Sequence, residues 1–89
     1  MSYIYVLQSP DGLDIYIGFS NDLKRRMREH ERSVHPGWKL VYYEAYQSAS
    51  DARRRERRLK DHGNAIRQLK QRIKDSWNES SRQNGAGSQ

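Results

Sequence analysis

Hydrophobic and polar positions along this chain switch between a two-residue period and one of three to four. Tyr3 to Leu7 and Ile15 to Gly18 are aromatic and β-branched runs, the composition of strands. Between them stands Pro10-Asp11-Gly12, where proline fixes φ and glycine supplies φ > 0, so the two runs form an antiparallel hairpin. Ser20 or Asn21 caps a first helix carrying Leu23, Met27 and Val34 near helical spacing, and His35-Pro36-Gly37 stops it. Trp38 to Tyr46 is a third strand, with Trp38, Leu40 and Tyr42 on one face and Val41 and Tyr43 on the other. Ser48 or Ser50 caps a second helix running to about Asp61, with a sparse stripe of Ala49, Ala52 and Leu59. His62-Gly63 breaks it. Asn64 caps a third helix with the clearest pattern in the chain, Ile66, Leu69, Ile73 and Trp77. From Asn78 onward the chain is polar and glycine-serine rich without period, which predicts a disordered tail over 78–89 behind one domain over 1–77. The order is ββαβαα, an α/β fold with a small sheet and helices.

Composition narrows this further. A chain of 89 residues, 34% hydrophobic, has room for one modest core. With no cysteine it can build neither a disulfide framework nor a cysteine metal cluster, which suits a reducing compartment, although secreted proteins can also lack cysteine. Met1 to Leu7 has no basic region and no apolar run of signal-peptide length, and no stretch reaches a membrane span, so the default expectation is a soluble cytoplasmic protein. Charge says more. Lys plus Arg is 17 against 11 acids, net +6, which points to a polyanion: nucleic acid or an anionic membrane surface. Twelve of the 17 are arginine, whose planar fork suits phosphate. A solvated basic surface is the plainer alternative.

Some polar residues stand where apolar ones are expected. Alternation puts Tyr5 on one face of its strand, and a hairpin closing around Pro10 to Leu13 brings Tyr16 to the same face. Paired aromatics are also ordinary sheet packing. On the first helix Leu23, Arg26, Met27, His30 and Val34 form an inward stripe in which Arg26 and His30, four apart, can reach one point. The guanidinium suits a phosphate oxygen and the imidazole can relay a proton, unless Arg26 snorkels and His30 is merely hydrogen-bonded. In the second helix Glu56, between Arg55 and Arg57, shares its face with Ala52 and Leu59. A carboxylate there needs a partner or a cation, and Mg²⁺ takes one or two protein carboxylates with waters and phosphate oxygens. Pairing with a neighbouring arginine explains it too. Together these groups supply what phosphodiester hydrolysis needs: a metal ligand, a fixed cation and groups for proton transfer.

The segments "YIY" at Tyr3 to Tyr5, "YIG" at Tyr16 to Gly18, "NDLKRRMREH" at Asn21 to His30 and "RRRERRLK" at Arg53 to Lys60 resemble the GIY-YIG nuclease superfamily, in particular its small stand-alone bacterial members. The likeness runs from Ser2 to about Trp77. It implies a three-stranded antiparallel sheet flanked by helices and a one-metal hydrolysis of DNA with Mg²⁺ (or Mn²⁺). It also implies roles: Tyr5 as base or orienter of the attacking water, Tyr16 as its partner, Arg26 as the catalytic arginine, His30 as a proton shuttle and Glu56 as the metal ligand. Tyr3 stands where the first motif has glycine. Phe19 stands where DNA-repair members carry a lysine, leaving that role unfilled or passed to His30. The family's asparagine falls on Asn64 by type or on Gln68 by spacing, and Asn64 is also simply a helix cap.

Arg53 to Lys74 carries ten basic residues against two acids, enough for salt-sensitive backbone binding. Arg25, Arg53, Arg57, Lys60, Asn64, Arg67 and Lys70 are the candidate nucleic-acid contacts, and Trp38, Tyr42, Tyr43, Tyr46 or Trp77 could stack bases. Single-stranded or branched DNA is therefore expected ahead of plain duplex, with no membrane partner. The alternatives are an inactive nucleic-acid-binding module of the same fold and a protein or ribosome interaction module.

Overall fold

The computed structural model describes residues 1–61 and 63–78, apart from the side chains of residues 33 and 34. The expected tail lies outside them beyond residue 78, as do His62 of the helix break and the Val34 side chain of the stripe. The elements run β1 (Ser2–Gln8), β2 (Ile15–Ser20), α1 (Leu23–Glu29) with a π-helical turn (His30–Val34), β3 (Lys39–Tyr46), α2 (Ala49–Asp61) and α3 (Gly63–Arg72). This is the ββαβαα order expected.

β1 is the central strand of an antiparallel sheet ordered β2-β1-β3. The β1–β2 turn is held locally. Ser9 N–H donates to Asp14 O at 2.9 Å, Gly12 takes φ 78°, and the Asp11 carboxylate accepts from the Ser9 hydroxyl at 2.6 Å and the Leu13 amide at 3.0 Å. Those donors stabilise the charged form and hold Asp11 below its ordinary carboxylate pKa.

The two faces of β1 do different work. Ile4 and Val6 point to one side, pair with Phe19 and Ile17 across β2, and pack with Ala52 and Leu59 of α2 and Leu69 of α3. Full burial of a side chain such as Leu59 or Leu69 is worth about 1.5–3 kcal/mol, so these few residues hold the helices on the sheet. The Ile66, Leu69, Ile73, Trp77 stripe is confirmed. Leu69 is buried, the other three flank the core, and the bonds Ile73 N–H to Leu69 O and Trp77 N–H to Ile73 O extend helical pairing past α3.

Four local expectations are corrected. Asp22, not Ser20 or Asn21, caps α1 by accepting the Arg25 amide at 3.1 Å, while the Ser20 hydroxyl bonds the Asp22 backbone. Ala49 is exposed at the start of α2, leaving Ala52 and Leu59 as the buried stripe. Asn64 stands inside the first turn of α3, which begins at Gly63. Trp38 precedes β3, whose alternation is broken by a bulge: Val6 pairs with Tyr42 and Leu7 with Leu40, so Val41 is the extra residue. Leu40 and Tyr43 therefore share the face of Leu7 and Tyr5, while Val41 and Tyr42 both pack toward the core.

A polar cluster closes the core at the β3 edge. Glu44 accepts from the hydroxyls of Tyr42 and Tyr46 and from Arg55 Nε at 3.1 Å. Burial pushes the Glu44 carboxyl up, and these three donors outweigh it and bring it below its ordinary value. Among the described residues no helix is long and apolar enough to cross a membrane.

Candidate active site

The second face of β1 carries the tyrosines. Tyr5 pairs directly with Gly18 across β2, and Tyr16 lies two residues along the same face. A side chain at Gly18 would force a ring to move: its Cβ would overlap the Tyr5 Cζ and hydroxyl and stand 2.8 Å from Tyr16 Cε1. Glycine here lets the Tyr5 ring lie down across β2 toward Tyr16, with centroids 6.1 Å apart. Tyr5 is 1% exposed, whereas Tyr16 keeps one side open to solvent.

His30 closes over this pair. It is buried, its Nε2 hydrogen-bonds the Tyr5 hydroxyl at 2.7 Å, and its ring meets Tyr16 edge-on at 5.1 Å. The position follows from the backbone. His30 opens a π-helical turn in which His35 N–H donates to His30 O at 2.7 Å, an i→i+5 bond. That turn delivers a second imidazole: His30 Nδ1 and His35 Nδ1 are 2.8 Å apart, and the His35 ring sits 4.6 Å from both Tyr16 and Trp38. Sequence reasoning missed His35, reading it only as part of a helix stop. In an α-helix residues five apart point about 140° away from each other, so no α-helical spacing could have paired them.

The electrostatics follow from burial. Burial first, then the neighbouring Tyr16, raises the Tyr5 hydroxyl pKa well above the phenol value; Arg26 opposes this and Glu56 adds to it. The same fields place Arg26 and Glu56 within electrostatic reach of Tyr5. His30 is lowered from its ordinary value by burial, then by His35 and Arg26, with Glu29 opposing. In both groups burial disfavours the charged form.

The remaining predicted residues are placed less centrally. Arg26 is 44% exposed and donates from Nη1 to Glu29 Oε1 at 3.1 Å, on the flank of the site. Glu56 is well shielded, with its side chain 17% exposed, and accepts from Lys60 Nζ at 3.0 Å. No neighbouring arginine takes that place: Arg55 is held by Glu44.

The model of the GIY-YIG catalytic domain matches residues 1–73. The chain belongs to the GIY-YIG family. That family comprises nucleases that act on DNA and generally depend on a metal ion. Relatives of this GIY-YIG domain include a UPF0213 protein of Limosilactobacillus reuteri, 35% identical over 83 residues spanning 68% of this chain and 84% of the relative. Another, from Streptococcus agalactiae serotype V, is 36% identical over 62 residues, 62% of this chain and 69% of the relative. A third, from Clostridium perfringens, is 30% identical over 67 residues, 67% of this chain and 71% of the relative. No solved structure matches.

Departures from the GIY-YIG pattern are resolved by position. Phe19 faces the core opposite Ile4, beneath the Arg53 guanidinium at 4.0 Å, so it leaves no gap on the tyrosine face. Asn64 and Gln68 both line an open groove of about 820 Å³ between α2 and α3, together with Arg57 and Arg58. The predicted nucleic-acid contacts are thus spread out. Arg57 and Asn64 share that groove, and Arg67 and Lys70 line a smaller hollow of about 330 Å³ where Lys70 lies over the Trp77 ring. Arg53 stacks on Phe19, Arg25 reaches Glu29 at 3.7 Å, and Lys60 serves Glu56. Of the five aromatic candidates for stacking, Tyr42 and Tyr46 bond Glu44, Trp38 packs on His35 and Trp77 joins the core. Tyr43 is open, 52% exposed, edge-on to Tyr3 at 6.2 Å and directly across from Tyr5.

Proposed function

We propose that this domain is an endonuclease that hydrolyses DNA phosphodiester bonds with one divalent cation, Mg²⁺ or Mn²⁺, and favours single-stranded or branched DNA. The observation that carries this reading is the Tyr5–His30 hydrogen bond at 2.7 Å beside Tyr16, made possible by the missing side chain at Gly18. Packing alone needs no histidine bonded to a buried phenol.

The donor set fits a single hard cation. Among the described residues no three His, Cys, Asp or Glu side chains form a metal cage. One shielded carboxylate, Glu56, lies near enough to act electrostatically on the Tyr5 hydroxyl, and Mg²⁺ characteristically takes one or two carboxylates and fills its shell with waters and phosphate oxygens. Glu56 would hold it, and it would supply charge neutralisation at the phosphate. The chain's own groups do the rest. Tyr5 orients the attacking water and exchanges protons with it without becoming a free phenolate, since its neutral form is strongly favoured. Tyr16 borders the open side of the site and positions the phosphate. Arg26 leaves Glu29 for the phosphate oxygens, a small cost because an exposed pair is worth roughly 0–1 kcal/mol.

The substrate preference rests on Tyr43. An exposed ring next to Tyr5 offers a stacking face to an unpaired base, which duplex DNA would withhold. Arg57, Arg67 and Lys70 supply backbone contacts, and Asn64 lies among them. The test is incubation of the domain with labelled single-stranded, duplex and branched DNA, with Mg²⁺ or with EDTA. Mg²⁺-dependent cleavage of the first and third, lost in Glu56→Ala while binding persists, is the expected result. Equal binding by wild type and Glu56→Ala with cleavage by neither would leave a nucleic-acid-binding module instead.

A further inference from the structure

We infer that His35 is the terminal proton acceptor of a two-histidine relay that runs from the Tyr5 hydroxyl through His30. The inference rests on the nuclease reading above, but its structural part can be measured without any substrate.

Two hydrogen-bonded pairs share the His30 ring. Tyr5 O is 2.7 Å from His30 Nε2, and His30 Nδ1 is 2.8 Å from His35 Nδ1. Each of these hydrogen bonds holds one proton, so fixing one fixes the other. If Tyr5 O–H donates to His30 Nε2, that nitrogen is bare, the neutral His30 carries its proton on Nδ1, and His35 Nδ1 must accept it. His35 then carries its own proton on Nε2. Burial disfavours the charged forms of Tyr5 and His30, which leaves two neutral arrangements; the relay takes the one in which Tyr5 donates, and the histidine tautomers tell the two apart.

The same array can move one proton outward. As the water oxygen forms its bond to phosphorus with a lone pair, the water proton passes to Tyr5 O. The Tyr5 proton passes to His30 Nε2, and the His30 Nδ1 proton passes to His35 Nδ1. The phosphorus–oxygen bond to the leaving group breaks, and that oxygen takes its proton from solvent. Tyr5 ends neutral, His30 ends neutral, and His35 carries the charge. This ending is physically sensible: His30 is buried under Tyr5 and Tyr16, whereas His35 is only half-buried and stacked between Tyr16 and Trp38, whose π faces tolerate a cation. The groups facing the pair are Tyr5 from β1, Tyr16 from β2, Arg26 and Glu29 from α1, and Trp38 before β3. His35 acts through His30, so it is a positioning residue.

The π-helical turn is what makes the pair. The i→i+5 bond between His30 O and His35 N–H turns both rings toward one another at 5.0 Å between centroids. Such turns recur at functional sites because they re-aim side chains that an α-helix would separate.

The decisive measurement is long-range ¹⁵N–¹H NMR of histidine-labelled wild-type protein at neutral pH. The chain has three histidines, so assignment needs only His35→Phe and His62→Gln for comparison. His30 is expected as the Nδ1–H tautomer and His35 as the Nε2–H tautomer. The opposite pair, or freely averaging tautomers at both, would overturn the relay. Activity supplies the second arm. His35→Phe keeps a ring between Tyr16 and Trp38 but has no nitrogen, and it should lower kcat at least tenfold with KM within twofold. His35→Asn restores a hydrogen-bonding group for His30 but cannot take up a proton; it should remain at least fivefold below wild type and lose the acid limb of the kcat–pH profile. Full recovery in His35→Asn would reduce His35 to a prop and overturn the proposal. Should wild type cleave nothing, the nuclease reading fails on its own and the tautomers still decide the relay.

Discussion

Tyr5 and Gly18 occupy one place between them: the Tyr5 ring fills the space that any side chain at position 18 would need. The last glycine of "YIG" is therefore the cavity in which the phenol lies. Gly18→Ala should force Tyr5 or Tyr16 off its rotamer at about 1–3 kcal/mol. Urea unfolding gives the cost and DNA cleavage the consequence. A Gly18→Ala protein with wild-type stability and rate would show that the ring does not need that space.

Removing the phenol oxygen separates packing from chemistry. Tyr5→Phe leaves the ring across Gly18 but strips His30 Nε2 of its partner. An unpaired buried polar group costs roughly 1–3 kcal/mol. Cleavage should fall at least a hundredfold with DNA affinity unchanged. Tyr16→Phe, more open to solvent, should cost less stability than Tyr5→Phe in the same urea assay.

Acid should weaken the fold through His30. Its folded pKa lies below its unfolded value near 6.5, so its contribution is present above that pH. As pH falls below about 6.5 the unfolded chain binds the proton first, and stability drops until the folded pKa is passed. Denaturant midpoints at pH 7.5 and 5.5 should differ less in His30→Gln than in wild type. An equal difference in both would assign the effect elsewhere.

The basic residues of α2 should divide by what they touch. Arg55 is half-buried against Glu44, and Arg55→Ala leaves that part-buried carboxylate only its two tyrosine donors and no paired countercharge among the described residues, so it should lower stability by about 1–3 kcal/mol. Arg57 lines the open groove, so Arg57→Ala should leave unfolding unchanged and instead weaken DNA binding, with the log K against log salt slope less steep by about 0.7–0.9. Fluorescence anisotropy across a salt series reads this directly. Matched losses of stability in the two variants would abolish the distinction.

Much of this was legible in the sequence because hydrophobic period and turn chemistry agreed with the fold. The hairpin, the tyrosine pair, the α3 stripe and the shielding of Glu56 all follow from spacing alone. What was not legible came from departures in the backbone itself. One extra residue at Val41 put Leu40 and Tyr42, expected on one face, on opposite faces, and one extra residue in the turn after Glu29 joined His35 to His30. Neither leaves a mark in side-chain type. The split among the arginines was also hidden, since only the position of Glu44 on β3 tells Arg55 from Arg57.

β1 is paired along both edges and covered on both faces, by the core on one side and by His30 on the other. In hydrogen-exchange terms its amides should belong to the last unit to open, at or near the global unfolding free energy, while the amides at the exposed start of α2 exchange early. Tyr5 thus sits on the strand expected to open last among the described elements. Local fluctuations that loosen the helices would leave the Tyr5 hydroxyl where it is, and its displacement would coincide with loss of the whole fold.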